Sequence, residues 1–233
     1  MTINDMHSWF NILLDHYNEP YFIDTEIDEF INSGAVEFVN DIIFKEYFPS
    51  MGENEKGIQA LNSIESVIQG SEVLQPLIIP DLTVAVAGGI ATNTAINSAI
   101  AASTGDANDT IMHVMSVTYD LSGEERLVRY VRHNDRARFR RNEFKKPTER
   151  NPIFSLVRNG LLIEPSNLAN VIVSVIKNPR KVSKENQIDL DLPEFTHQRV
   201  IAYALSMSGI ASRDDVLVQL QQLSGNGTNR NKG

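Results

Sequence analysis

The chain has 233 residues, 42% hydrophobic and 22% charged, with no cysteine and a formal net charge of −9. Those fractions belong to a globular protein large enough to bury a core, and they exclude wholesale disorder and collagen-like or coiled-coil fibres. The lack of cysteine removes disulfide scaffolds, thiolate metal sites, iron–sulfur clusters and cysteine nucleophiles together.

Residues 4–17 place Met6, Phe10, Leu13, Leu14 and Tyr17 at helical spacing, with Asn4 as the expected cap. Asn18 to Pro20 ends that helix. Thr25 and Asp28 have the spacing of a capping box, with Asp in place of Glu or Gln. Behind them Ile27, Phe30, Ile31, Ala35, Phe38, Val39 and Ile42 make a second stripe, and Ile58 to Ile68 a third, stopping at Gly70. The period then changes. Val73 to Ile79 and Leu82 to Ala87 read as strands around Pro80. Gly88 to Thr110, rich in Ala, Gly, Ser, Thr and Asn, reads as a mobile loop, although Ile90, Ala95 and Ile100 would support a short helix.

Ile111 to Tyr119 and Arg126 to Val131 alternate like strands, joined by the turn Asp120-Leu121-Ser122-Gly123. Asn134 is a possible cap for a short basic helix from Asp135 to Phe144. Ile153 to Arg158 and Leu161 to Glu164 flank Asn159-Gly160, a strong hairpin signal in which both turn residues are expected at positive φ. Val171 to Lys177 closes the β region. After a polar loop, Pro193 and Glu194 open a helix whose apolar face is Val200, Ile201, Ala204 and Leu205, ending near Gly209. Ser212 and Asp215 start a last helix with Val216, Leu217, Leu220 and Leu223. Residues 224–233 have nothing to bury and are expected to be disordered.

The expected fold is therefore α+β: a helical bundle from the N- and C-terminal helices, residues 1–70 and 184–223, with a mainly antiparallel β-domain inserted at 71–183. No apolar run approaches the roughly 18 residues of a membrane helix, and the opening MTINDMHSWF lacks the grammar of a signal peptide. A soluble, unprocessed protein is expected.

Motifs for chemistry are sparse. His7, His16, His113, His133 and His197 are scattered, and none has metal-ligand spacing. There is no nucleophile elbow, P-loop or dinucleotide fingerprint. The carboxylate pairs Asp189–Asp191 and Asp214–Asp215 fall in a polar loop and a helix's first turn, not in a site that would push their pKa values apart. No catalytic residue, metal or cofactor is expected, and the chain does not read as an enzyme.

Charge is informative by position. From Arg126 to Arg150, ten basic residues stand against three acidic ones, a local excess of seven that leaves a net −16 for the rest of the chain. The first 56 residues carry twelve acids and only Lys45 and Lys56 as bases. The basic cluster Arg132, Arg136, Arg138, Arg140, Arg141, Lys145, Lys146 and Arg150 is interrupted by Phe139 and Phe144. Arginine suits bidentate contact with carboxylate or phosphate, and interleaved aromatics stack bases. The same two phenylalanines serve equally well as anchors for the short helix. A nucleic-acid contact is the alternative, but the acidic excess elsewhere opposes it, and pairing with protein is the favoured reading. The acids Asp24, Glu26, Asp28 and Glu29 of a neighbouring copy are the expected partners of Arg136 to Lys146.

Three stretches carry a family resemblance: Met6-His7 with the following helix and Phe22-Ile23-Asp24-Thr25-Glu26-Ile27-Asp28-Glu29-Phe30-Ile31-Asn32; Val157-Arg158-Asn159-Gly160-Leu161-Leu162-Ile163-Glu164-Pro165 with the later Lys177-Asn178-Pro179-Arg180-Lys181-Val182; and Leu190-Asp191-Leu192-Pro193-Glu194-Phe195-Thr196-His197 opening a terminal helix. Together they resemble the tail-ring and head–tail connector proteins of crAss-like Bacteroides phages. The Ala- and Gly-rich segment 83–108 has no counterpart in that pattern. The resemblance implies a virion structural protein of the neck or tail, a subunit of a twelve-fold homo-oligomeric ring that meets the portal protein or neighbouring tail rings. Genomic DNA would pass through its lumen without chemistry or membrane contact, after assembly in the host cytoplasm. A nucleic-acid-binding protein, or a capsid-side or cargo virion protein, is the alternative. Residues 88–110 would be a gate, a contact arm or loose chain.

Overall fold

The computed structural model describes residues 1–17, 22–43 and 71–209. The expected helices at 58–70 and 212–223 and the tail at 224–233 lie outside the described residues. The fold is α+β, with five α-helices and two four-stranded sheets among the described residues. Two compact units divide it: residues 1–17, 22–43 and 179–209 form one, and 71–178 the other.

The first unit contains α1 (Ile3–Tyr17), α2 (Asp24–Asp41) and α5 (His197–Met207). Thr2, not Asn4, caps α1: its hydroxyl accepts from the Asp5 N–H at 3.3 Å, and the Asp5 carboxylate accepts from the Thr2 N–H at 2.9 Å. The box expected at Thr25 and Asp28 does not form, because α2 begins two residues earlier, with Ile23 at the N-cap. The Glu26 carboxylate accepts from the Ile23 N–H at 3.0 Å there. The apolar stripes behave as their period demands: Met6, Phe10, Leu13, Ile27, Ile31, Phe38, Val200, Ile201 and Leu205 are all buried. Helices α2 and α5 meet at Gly34, where a Cβ would lie 2.6 Å from the Ala204 nitrogen and 2.9 Å from the Val200 carbonyl oxygen. Phe38 and Tyr203 meet edge to face beside this crossing.

The polar loop before α5 is a strap fastened to α1 and α2. Asn32 accepts from the Val182 N–H at 2.7 Å, Asp28 from the Lys184 N–H at 3.0 Å and Asp189 from the Ile3 N–H at 2.6 Å. Residues 179–183 thus sit with the helices and not, as the sequence suggests, with the β-domain.

In the second unit one sheet has strand order β1-β8-β3-β4 and the other β2-β7-β6-β5. The strands are β1 (Ile78–Ala85), β2 (Ile90–Thr92), β3 (Ile111–Leu121), β4 (Glu124–Leu127), β5 (Arg129–Tyr130), β6 (Ile153–Val157), β7 (Gly160–Glu164) and β8 (Asn170–Lys177). All pairings are antiparallel except β5 with β6. The chain changes sheet at Val128, whose N–H donates to Val117 O at 2.8 Å, while the Arg129 N–H already donates to Pro152 O at 3.0 Å. The two sheets share one apolar cluster that includes Val84, Val117, Tyr119, Phe154, Ile163 and Val173.

Three expectations are corrected here. Val73 to Ile79 is not one strand: Gln75–Leu77 is a 3-10 turn, and β1 starts at Ile78 and runs through Pro80. Pro80 and Asp81 form a bulge opposite Ser174, which an edge strand accommodates because proline there leaves no ladder bond broken. Residues 88–110 are not a loop. They hold β2 and α3 (Asn93–Thr104), capped by Thr92 Oγ1 accepting from the Ala95 N–H at 3.2 Å and ended by Gly105 at φ 76°. Ile96 and Ile100, one turn apart, bury α3 in the shared cluster, with Ala95 and Ala99 packed partly against it. Finally, the tight turn of the β6–β7 hairpin is Arg158-Asn159, since Val157 pairs with Gly160. Gly160 belongs to the strand, where a Cβ would stand 2.1 Å from Ala91 O, so close approach of β2 is what requires glycine.

The α2–α5 crossing yields a test. Gly34→Ala adds about 1 kcal/mol of helix propensity, but its methyl forces two backbones apart, a strain of about 1–3 kcal/mol. A net loss is expected, read as a lower urea midpoint by the fluorescence of Trp9, the single tryptophan, on α1. A midpoint unchanged or raised would show that the crossing is looser than the 2.6 Å approach implies.

A candidate interaction surface on the basic segment

Past β5 the chain makes a 3-10 turn at His133–Asp135 and then α4 (Arg136–Arg141). The helix is shorter than the expected 135–144, and no side chain caps it, Asn134 included. It has little intrinsic stability at six residues, so tertiary contacts must hold it. Phe139 supplies one, buried with Val131 and Ile153 in a small separate cluster. Arg129 and Lys145 lie over its ring at 5.4 and 5.9 Å, and the Ser155 hydroxyl donates to Val131 O at 2.6 Å beneath it.

Glu164, the last residue of β7, supplies the other. Arg136 and Arg140 are one turn apart and both reach it. Arg136 Nε donates to Oε1 at 2.9 Å, with Nη2 donating to the same oxygen; Arg140 Nε donates to Oε2 at 2.9 Å and its Nη2 to Oε1 at 2.7 Å. Burial alone would raise the Glu164 carboxyl, but the hydrogen bonds from Arg140 and Arg136 outweigh it and hold the group below its ordinary range. The same contact raises Arg140 above the usual guanidinium value. The sequence reading missed Glu164 as a partner. The signal was the spacing of Arg136 and Arg140 on one helix face, which leaves the partner's identity open.

The expected interface residues therefore separate. Arg136 and Arg140 serve the fold, although Arg140 keeps 59% of its side chain exposed. Arg132, Arg138, Arg141, Lys145 and Lys146 are exposed, and no carboxylate among the described residues pairs with them. Phe139 and Phe144 separate too, the first an anchor and the second 99% exposed.

The expected acidic partners are largely engaged within their own unit. Asp28 is buried, accepting from the Lys184 N–H and bonded to His7 Nε2 at 2.7 Å. Asp24 takes the Lys184 ammonium at 2.7 Å, which holds its carboxyl below the usual range. Glu26 is spent on the start of α2. Only Glu29 of the four is exposed without such a bond. Sequence reading could not see this, because His7 lies 21 positions and Lys184 156 positions from Asp28.

Elsewhere in the second unit, Lys177 Nζ contacts both Asp109 oxygens at 3.1 Å in a buried ion pair. It ties the start of β3 to the end of β8, and the Asn178 N–H donates to Thr110 O at 2.8 Å beside it. Among the described residues no group of three His, Asp or Glu is placed to hold a metal ion, and no helix is long and apolar enough to cross a membrane.

Replacing Glu164 tests the clasp. Glu164→Gln leaves two guanidiniums facing a neutral amide and is expected to cost about 1–3 kcal/mol at pH 7. A carboxyl held below its ordinary pKa contributes stability above the unfolded value, here 4.5, and loses it as pH falls through the folded value. The gap between wild type and variant in thermal melts should thus close as pH drops below about 4.5; a gap independent of pH would contradict the clasp. No known protein family matches the chain, and no curated protein sequence is significantly similar to it.

Proposed function

We propose that the chain is a structural subunit of a phage virion, a ring-forming component of the neck or tail through which genomic DNA passes. The observation that carries this reading is the surface of α4 and its flanks: five exposed cations, Arg132, Arg138, Arg141, Lys145 and Lys146, without a carboxylate partner among the described residues, in the same segment as an exposed Phe144. Charged rims about an aromatic anchor are how protein interfaces gain orientation and affinity. The chain carries a net −16 outside this segment, so a second copy offers the complementary charge. A basic patch on one protomer facing acids of the next is a heterologous contact, which closes into a ring when its rotation permits.

The resemblance of the three sequence stretches points the same way, toward a homododecamer stacked on the portal or on other tail rings within the particle. In this reading the chain-end helices make a helical bundle with the β-domain inserted, no substrate is transformed, and DNA contact is passive. The acids that meet the patch are surface groups other than Asp24 and Asp28, which already have partners.

Light scattering after size exclusion tests the reading. Arg138 and Arg141 are chosen for reversal because Arg140 is needed by Glu164. Wild type should run as a large assembly at low salt and shrink at high salt. Arg138→Glu/Arg141→Glu should weaken association by about 100-fold or more, since like charges set opposite each other cost several kcal/mol. Wild type running as a monomer throughout, or a double variant of unchanged mass, would overturn the proposal, as would micrographs of labelled particles with no label at the neck or tail.

A further inference from the structure

Beside the Glu164 clasp lies a cleft of about 430 Å³, lined by Gly88, Gly89, Arg140, Lys146, Pro147 and Pro165 among others. We infer that it is a receptor for the carboxylates of an acidic polypeptide segment. Its charge balance is the first reason. Two guanidiniums share the single Glu164 carboxylate, and Lys146 adds a further cation. The lining residues Arg140, Lys146 and Glu164 leave one positive charge uncompensated, and Arg136 behind Glu164 adds a second to the cluster. Glu164 occupies Nε and Nη2 of Arg140 and leaves Nη1 for an incoming group. Arg140 is reachable at 59% exposure, whereas Arg136, at 13%, is not.

Part of the lining is backbone. Gly88 and Gly89 form the turn between β1 and β2 at φ 59° and 81°, and Gly89 O accepts from the Ile163 N–H at 2.7 Å. The amide N–H groups of Gly88 and Gly89 have no acceptor among the described residues. A Cβ at Gly89 would lie 3.0 Å from Ser166 Cβ, so side-chain-free backbone is what lets this turn stand against the end of β7. Two cationic side chains and two donor amides around one cleft are the complement of a carboxylate, which accepts through both oxygens.

Nucleic-acid phosphate would satisfy the same donors, but two features favour peptide. The cleft is lined by Pro147 and Pro165 and has the volume of a few side chains. The net −16 on the remainder of the chain opposes a long polyanion more than a short acidic segment, whose few charges meet less of that field. Only the source of the segment rests on the ring reading, in which a neighbouring copy supplies it; binding itself does not.

The test is fluorescence anisotropy of a fluorescein-labelled pentaglutamate titrated with the full chain at low salt, at concentrations where the chain runs as a protomer. Binding is expected, weakened at least tenfold by Lys146→Gln and unchanged by Arg158→Gln, an exposed cation on the β6–β7 turn outside the cleft. Equal affinity in wild type and Lys146→Gln overturns the inference. So does tighter binding of an oligothymidylate of equal charge through Lys146, which would make the cleft a nucleic-acid contact. Displacement of the peptide by an equal concentration of inorganic phosphate would mark an unselective anion site and also overturn it. A chain that binds the peptide through Lys146 yet never assembles refutes the ring and leaves the receptor; one that assembles without binding refutes the receptor alone.

Discussion

The Glu164 carboxylate receives hydrogen bonds from two arginines of one short helix, and the character of the whole basic segment follows from that contact. A helix of six residues rich in like charges would not persist alone, since the repulsion between Arg136 and Arg140 one turn apart adds to the cost of nucleation. One carboxylate at the end of β7 turns that repulsion into attraction and, with Phe139 seated on Val131 and Ile153, fixes the helix's rotation about its axis. Rotation decides which cations the helix presents. With Arg136 and Arg140 directed to Glu164, Arg138 and Arg141 are left exposed on α4.

The same economy operates in the helical unit with the signs reversed. Asp24 and Asp28 look in the sequence like an acidic face awaiting a basic partner. In the fold they hold the strap before α5: one carboxylate takes the Lys184 ammonium, and the other takes the Lys184 amide together with His7. A buried carboxylate without such bonds would be costly; with the Lys184 amide and His7 as partners, Asp28 becomes a fastening between residues far apart in the chain. The Asp109–Lys177 pair does comparable work in the β unit, where it joins two strand ends that the ladder bonds alone would leave to fray.

How far the sequence discloses this depends on the range of the interaction. Hydrophobic period is local, and it locates α1, α2, α5, β3, β6, β7 and β8 within a few residues. It fails at 88–110 because small residues mask the stripe: Ile96 and Ile100 are the only large residues on the buried face of α3, beside Ala95 and Ala99, and the Thr92 and Gly105 caps that delimit it are common loop residues. It misplaces the β6–β7 turn because Asn-Gly is read as two turn residues. The register instead puts Gly160 where β2 comes closest, a contact 69 positions away from Ala91. Charge blocks are likewise visible in the chain, but which members are consumed inside the fold is not. Pairings such as Arg136–Glu164 and Lys184–Asp24 span 28 and 160 positions.

A count of charges therefore overstates an interface, and the surplus that survives internal pairing is the better guide. Of the seven cations between Arg132 and Lys146, Arg136 and Arg140 are tied to Glu164, and Lys145 lies over a ring. Of the four acids between Asp24 and Glu29, three have internal work. The basic side keeps most of its surplus and the acidic side of that short segment keeps little. A partner for α4 must then be sought among acids whose bonds are not already made, and it must leave the Glu164 contact intact. An approach that drew Arg140 away from Glu164 would release the helix that presents the surface, so recognition and the fold of this segment are thermodynamically linked. Lys146, on the loop after α4, bears no such double duty, and it is the cation best placed to take on a partner without loosening its own support.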